Sequence, residues 1–97
     1  MNAVNSGISE KSRQMVISNR LGLHARAAGR LVETASRFES IIVLEKNGQS
    51  ADAKSVIDLL GLECPMGTRV LISASGADSD QAVETLAELI ENKFGEE

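Results

Sequence analysis

From Ala25 to Phe38 the apolar residues Ala28, Leu31, Val32, Ala35 and Phe38 fall at the spacing of one helical face. The remainder mixes that pattern with short β-compatible runs. Met15 to Asn19, carrying Val16 and Ile17, predicts a strand that Gly22 breaks. Ile41 to Glu45 is mostly branched and apolar and predicts a second strand. Asn47-Gly48 follows; both residues accept positive φ, so the chain turns as a hairpin and returns along Gln49 to Ala53. Ser55 begins a short helix, with Asp58 as a capping-box variant, that runs through Val56, Ile57, Leu59 and Leu60 and stops near Gly61. Pro65 and Gly67 mark a loop. Thr68 to Ser75 sets Val70, Ile72 and Ala74 on one side of another strand. Gly76 turns the chain, and Asp78 or Ser79 caps a last helix whose Val83, Leu86, Leu89 and Ile90 face inward. The order βαββαβα predicts an α+β, two-layer sandwich with an antiparallel central strand pair. One sheet face meets helices and the other meets water.

The 97 residues suffice for one domain. Residues 1–13 are polar and aperiodic and read as a flexible extension, leaving residues 14–97 as the folded unit. The one cysteine, Cys64, cannot form an internal disulfide and has no neighbours suited to a metal site, so no metal or cofactor is expected. Without a signal-peptide pattern or a membrane-length apolar run, the expectation is a soluble, cytoplasmic monomer. A net charge of −4 and only two aromatic residues, Phe38 and Phe94, argue against nucleic-acid binding. The acidic residues Glu91, Glu96 and Glu97 read as a solvated end.

The single histidine changes this picture. His24 lies in Gly22-Leu23-His24-Ala25-Arg26, where strand pattern gives way to helix pattern. A helix start offers unpaired N–H groups and the positive end of the dipole, both of which favour an anion. Arg26 adds a permanently charged phosphate binder. Ala25 cannot fold a side-chain oxygen onto the first amides, which leaves them open for an outside anion. The same positive end disfavours imidazolium and so helps keep the ring a neutral nucleophile. The site reads as a histidine able to accept and hold a phosphoryl group.

Ile17-Ser18-Asn19-Arg20-Leu21-Gly22-Leu23-His24-Ala25-Arg26 resembles the active-site segment of the HPr phosphocarrier family of the bacterial phosphotransferase system. The likeness continues through Glu45-Lys46-Asn47-Gly48, Ala53-Lys54-Ser55-Val56-Ile57, Gly67-Thr68 and Ile72-Ser73-Ala74-Ser75-Gly76, spanning about Gln14 to Phe94. The resemblance implies an open-faced sandwich with strand order 1-4-2-3. It implies a carrier, not an enzyme, that receives phosphate from enzyme I on Nδ1 of His24 and passes it to an EIIA domain. Arg26 would take the phosphate-stabilising position. The family usually has proline after this arginine; here Ala27 restores an N–H and relaxes the start of the helix.

By the same resemblance, Ser55 matches a serine phosphorylated by an HPr kinase in some members, although as a residue it reads simply as a helix cap. Partner docking would use Leu23, Gly29, Val56, Ile57 and Leu60, with Arg26 and Arg30 at the rim; at helical spacing Ile57, Leu59 and Leu60 could equally be core. Val56-Ile57-Asp58-Leu59-Leu60 looks more like the nitrogen-related NPr branch than the sugar-transport branch. The competing reading is a regulatory binding module whose docking depends on its phosphorylation state.

Overall fold

The computed structural model describes residues 9–96. Strand β1 spans Glu10–Val16, helix α1 Ala25–Ala35, β2 Ile41–Lys46, β3 Gln49–Asp52, α2 Val56–Leu62, β4 Arg69–Ser75 and α3 Ser79–Glu91, followed by a 3-10 turn at Lys93–Gly95. The four strands form one antiparallel sheet in the order β1-β4-β2-β3. The expected βαββαβα order and the strand order implied by the resemblance are both present.

The alternation in β4 does what its pattern predicts: Val70, Ile72 and Ala74 are buried, while the residues between them are half-buried or exposed. They meet Ile42 and Leu44 of β2 and the apolar faces of the helices. Leu31 and Ala35 come from α1, Leu59 from α2, and Val83, Leu86 and Ile90 from α3. Asn47 and Gly48 take φ of 49° and 82°, the double positive φ that a two-residue hairpin needs. Lys46 then pairs with Gln49 across the turn.

Several boundaries differ from expectation, each for a local reason. Of the extension expected over residues 1–13, residues 1–8 lie outside the described residues, but Glu10–Arg13 belong to β1. Their helix-facing positions are Lys11 and Arg13, which stand opposite Ala74 and Ile72. Such an edge strand covers α3 with charged side chains, whose stems pack and whose heads stay wet, so no apolar alternation marks it. Lys11 Nζ reaches Asp80 at 3.8 Å, between two exposed side chains. At its other end β1 stops at Val16, short of the expected Asn19. Ile17 still exchanges backbone hydrogen bonds with Thr68 and Gly67. Helix α1 closes at Ala35 rather than Phe38; the Phe38 N–H turns back to the Ala35 carbonyl, and its ring packs half-buried against the core. Helix α2 continues one residue past Gly61. It ends on Glu63 in the left-handed region, where Lys46 Nζ donates to the Leu62 and Glu63 carbonyls at 2.7 and 2.6 Å. A lysine from β2 thus satisfies carbonyls that a glycine-terminated helix satisfies locally.

Asp78 sits at the N-cap position of α3 without capping it. Its carboxylate instead accepts from the Glu39 N–H and from the Ser40 N–H and hydroxyl, at 2.8, 3.0 and 2.5 Å. This fastens the start of β2 to the start of α3. The Ser40 hydroxyl, more than the two amides, holds the Asp78 carboxyl below its ordinary value.

Candidate functional site

The loop from β1 to α1 is shaped by one glycine. Gly22 has φ +70°, and a side chain there would lie 2.5 Å from the Cys64 carbonyl oxygen and 2.8 Å from Pro65 Cα. Only glycine meets both demands. The Leu23 N–H then donates to that Cys64 carbonyl at 2.8 Å, and the buried Asn19 donates its side-chain amide to the Gly22 carbonyl at 2.7 Å. The loop after α2 and the loop before α1 are therefore one packed unit, and the chain leaves it at His24. Cys64 itself is buried, which pushes its thiol up despite the opposing charge of Lys46.

His24 is the N-cap of α1. Its Nδ1 accepts from the Arg26 N–H at 3.2 Å, and its carbonyl accepts from the Ala28 N–H at 2.8 Å. The helix start is therefore less open than the sequence suggests: the imidazole occupies one of the first amides, a role usually filled by serine or aspartate. The Ala25 and Ala27 amides have no hydrogen-bond partner among the described residues. Ala27 is completely buried, so the N–H that proline lacks is here an unpaired donor inside the structure.

The other ring nitrogen makes the contact that sequence reasoning missed. His24 Nε2 lies 2.6 Å from Glu96 Oε2, and Glu96 Oε1 accepts from the Asn19 amide at 2.9 Å. Glu96 is thus no part of a solvated acidic end. Its side chain is 21% exposed and that of His24 28%, so the pair is sheltered yet reachable from solvent. The Asn19 amide first, and the imidazole second, hold the Glu96 carboxyl below its ordinary value. An amide N–H can only donate and a carboxylate can only accept. The two partners therefore place the ring proton on Nε2 and the lone pair on Nδ1.

Glu96 is held there by its neighbours. Phe94 is fully buried in the core, and Arg30 donates from its guanidinium to the Phe94 carbonyl. Lys93, Phe94 and Gly95 take φ of 58°, 57° and 78°, a run of left-handed residues that turns the chain back toward α1. Two of them are not glycine, and such conformations persist only where packing enforces them. No local sequence signal links Glu96 to His24, which lies 72 residues earlier.

The ring opens onto a depression of about 750 Å³ lined by Ser18, Arg20, Leu21, Arg26, Met66, Lys93 and Glu96. Arg26 is exposed, and its guanidinium makes no hydrogen bond or ion pair among the described residues. Leu21 and Met66 are 66% and 57% exposed, unusual for apolar side chains and absent from the expected docking set. Of that set, Ile57 is exposed, and Gly29, Val56 and Leu60 are half-buried. Leu23 is a correction: it is 5% exposed and belongs to the core, because its amide is tied to the loop after α2. Arg30, expected at the rim, is engaged by Phe94. Ser55 caps α2, its hydroxyl accepting from the Asp58 N–H at 3.2 Å. Lys54, adjacent in sequence, points its ammonium at the Phe38 carbonyl, 2.7 Å away. Among the described residues no cluster of His, Cys, Asp and Glu could hold a metal ion, and no helix is long and apolar enough to cross a membrane.

Residues 11–92 match the family model described as the PTS HPr component phosphorylation site. The phosphocarrier protein HPr of Xylella fastidiosa (strain 9a5c) is 38% identical over 84 residues, covering 87% of this chain and 94% of that protein. The phosphocarrier protein NPr of Shewanella violacea is 39% identical over 89 residues, covering 92% and 98%. Among solved structures, HPr-C-His from Thermoanaerobacter tengcongensis superposes with a TM-score of 0.87 at 44% identity, covering 90% of this chain and 98% of that one.

Proposed function

The chain belongs to the HPr family of the phosphotransferase system, whose members are carriers rather than enzymes, and from that premise we propose that it accepts a phosphoryl group from enzyme I on His24 Nδ1 and passes it to an EIIA domain in the cytoplasm. The observation that carries this reading is the orientation of the ring: the Nδ1 lone pair faces the first amides of α1 at the edge of an open, cationic depression.

The chemistry follows from that orientation. The Nδ1 lone pair attacks phosphorus as the bond to the donor breaks and its electron pair leaves with the donor. The incoming oxygens then take over the Arg26 N–H that Nδ1 held. They also gain the dipole of α1 and the Arg26 guanidinium. This amide thus has a partner before transfer in the ring and after it in the phosphate, and the charge of the phosphate is what the dipole and the guanidinium favour.

Exposed Leu21 and Met66, which line the depression, support a second layer of function, in which a target protein docks on this face according to the state of His24. At Ser55 we favour the cap over a kinase-regulated switch. A phosphate there would stand between Asp52 and Asp58, with the Lys54 ammonium committed elsewhere.

Incubation with enzyme I and phosphoenolpyruvate, read by intact mass, tests the first step. One phosphate is expected on the wild-type chain and none on His24→Ala. Transfer onward to a sugar-type or a nitrogen-type EIIA then assigns the branch. Equal uptake by His24→Ala would overturn the reading.

A further inference from the structure

The carboxylate on the far side of the imidazole has no part in phosphate binding as described above, yet the fold goes to some length to hold it. A buried aromatic, an arginine-to-carbonyl contact and a left-handed turn fix Lys93–Gly95. The carboxylate that follows reaches both the loop residue Asn19 and the ring. We propose that Glu96 is the positioning residue of His24: it fixes the proton on Nε2, aims Nδ1 at the incoming phosphorus, and offsets the positive charge that the ring acquires during transfer. This inference rests on the carrier reading and extends it.

The need for such a group follows from electron counting. When Nδ1 bonds to phosphorus while Nε2 keeps its proton, both nitrogens are substituted and the ring becomes cationic. A carboxylate 2.6 Å from Nε2 stabilises that charge as it appears, as the aspartate does for histidine in a Ser-His-Asp triad. In the outward step the N–P bond breaks and its electron pair returns to Nδ1. The ring leaves neutral, with the proton still on Nε2. Neither step requires a proton to move, and the same contact serves both directions. Glu96 also brings a negative charge near a dianionic group. Arg20, Arg26 and Lys93, which line the same depression, counter it.

Glu96→Gln in the full chain tests this, because glutamine keeps the size of the side chain but carries no charge and has a single acceptor oxygen, so it can accept from Asn19 or from the ring and not from both. Nitrogen-15 spectra of the unphosphorylated wild-type ring should show a protonated Nε2, an unprotonated Nδ1 and a strongly downfield Nε2 proton. In Glu96→Gln that proton should move upfield. The kcat for phosphoryl transfer from enzyme I should fall by roughly 10- to 100-fold, the range found when the carboxylate behind a metal-bound histidine is lost, with enzyme I's KM for the carrier unchanged. Glu91→Gln, exposed on α3, should match wild type in both readouts. A merely structural role for Glu96 would leave the ring spectrum and kcat of a folded Glu96→Gln protein unchanged, and that result overturns the proposal. So does faster transfer, which would make Glu96 a plug on the site. A wild-type chain that takes up no phosphate sinks the carrier reading and this inference together; normal wild-type uptake with unimpaired Glu96→Gln sinks this inference alone.

Discussion

The carbonyl oxygen of Cys64 fills the space in which a side chain on Gly22 would lie, 2.5 Å from where its Cβ would be. Two loops distant in sequence are thereby locked, and His24 is presented two residues beyond the lock. Gly22→Ala should destabilise the fold by about 2–4 kcal/mol, combining left-handed strain with overpacking. It should also slow phosphoryl transfer even under conditions where the protein remains folded. Urea denaturation and transfer kinetics measure the two effects; an unaffected midpoint would show that the loops can part freely.

Arg26 is exposed, and its side chain supports nothing in the fold. Arg26→Ala should keep wild-type stability and lose roughly tenfold in transfer rate, less than the ~10²–10³ typical of a donor in a water-excluded site. Unchanged kinetics would mean that the amides of α1 and the helix dipole suffice alone.

Ala27 leaves an N–H buried without a partner, in a position where the family usually has proline. Ala27→Pro should raise stability by about 0.4–1 kcal/mol, by removing that donor and restricting the unfolded chain. Its first-turn position spares it the clash that proline meets inside a helix. Chemical denaturation decides the matter, and a lower midpoint would show that the ring does not fit behind Arg26.

Asp78 gives a pH dependence of definite sign. Its folded pKa is depressed, chiefly by the Ser40 hydroxyl. The unfolded state therefore binds the proton more readily, and stability falls as pH drops. The contribution is complete above the ordinary carboxylate range near pH 4 and is lost as pH falls through the depressed folded value. Asp78→Ala should be less stable than wild type at pH 7, and the two should converge in strong acid. A gap that stays constant down to that range would place the stabilisation elsewhere.

Ser55 separates a cap from a switch. Ser55→Ala should lose about 1 kcal/mol, the usual effect of an absent cap, whereas Ser55→Asp, which keeps an acceptor, should retain stability. Transfer from enzyme I to Ser55→Asp should proceed with the wild-type KM. A raised KM would establish that charge at this position weakens docking and would restore the regulatory reading.

Legibility followed the range of the interaction. Where a strand or helix packs an apolar face, as with Val70, Ile72 and Ala74, periodicity announces it. The start of β1 stayed hidden because Lys11 and Arg13 occupy its helix-facing positions, so its pairing is visible only once β4 is beside it. His24 was legible because a strand-to-helix junction is a local event. Glu96 was not, since nothing in its neighbourhood points to a ring 72 residues away. Leu23 shows the reverse: the family resemblance implies a docking role, while the residue lies in the core with its N–H hydrogen-bonded to the Cys64 carbonyl.

The bond from His24 to Glu96 also has a meaning for biosynthesis. A ribosome that has made the histidine must deliver 72 further residues before its carboxylate partner exists, and β1 must likewise wait for β4 before it has a neighbour in the sheet. Sheet closure through such distant pairings is slow relative to local helix formation. The nascent chain therefore carries a histidine that is chemically present but unsupported until those distant residues have been added.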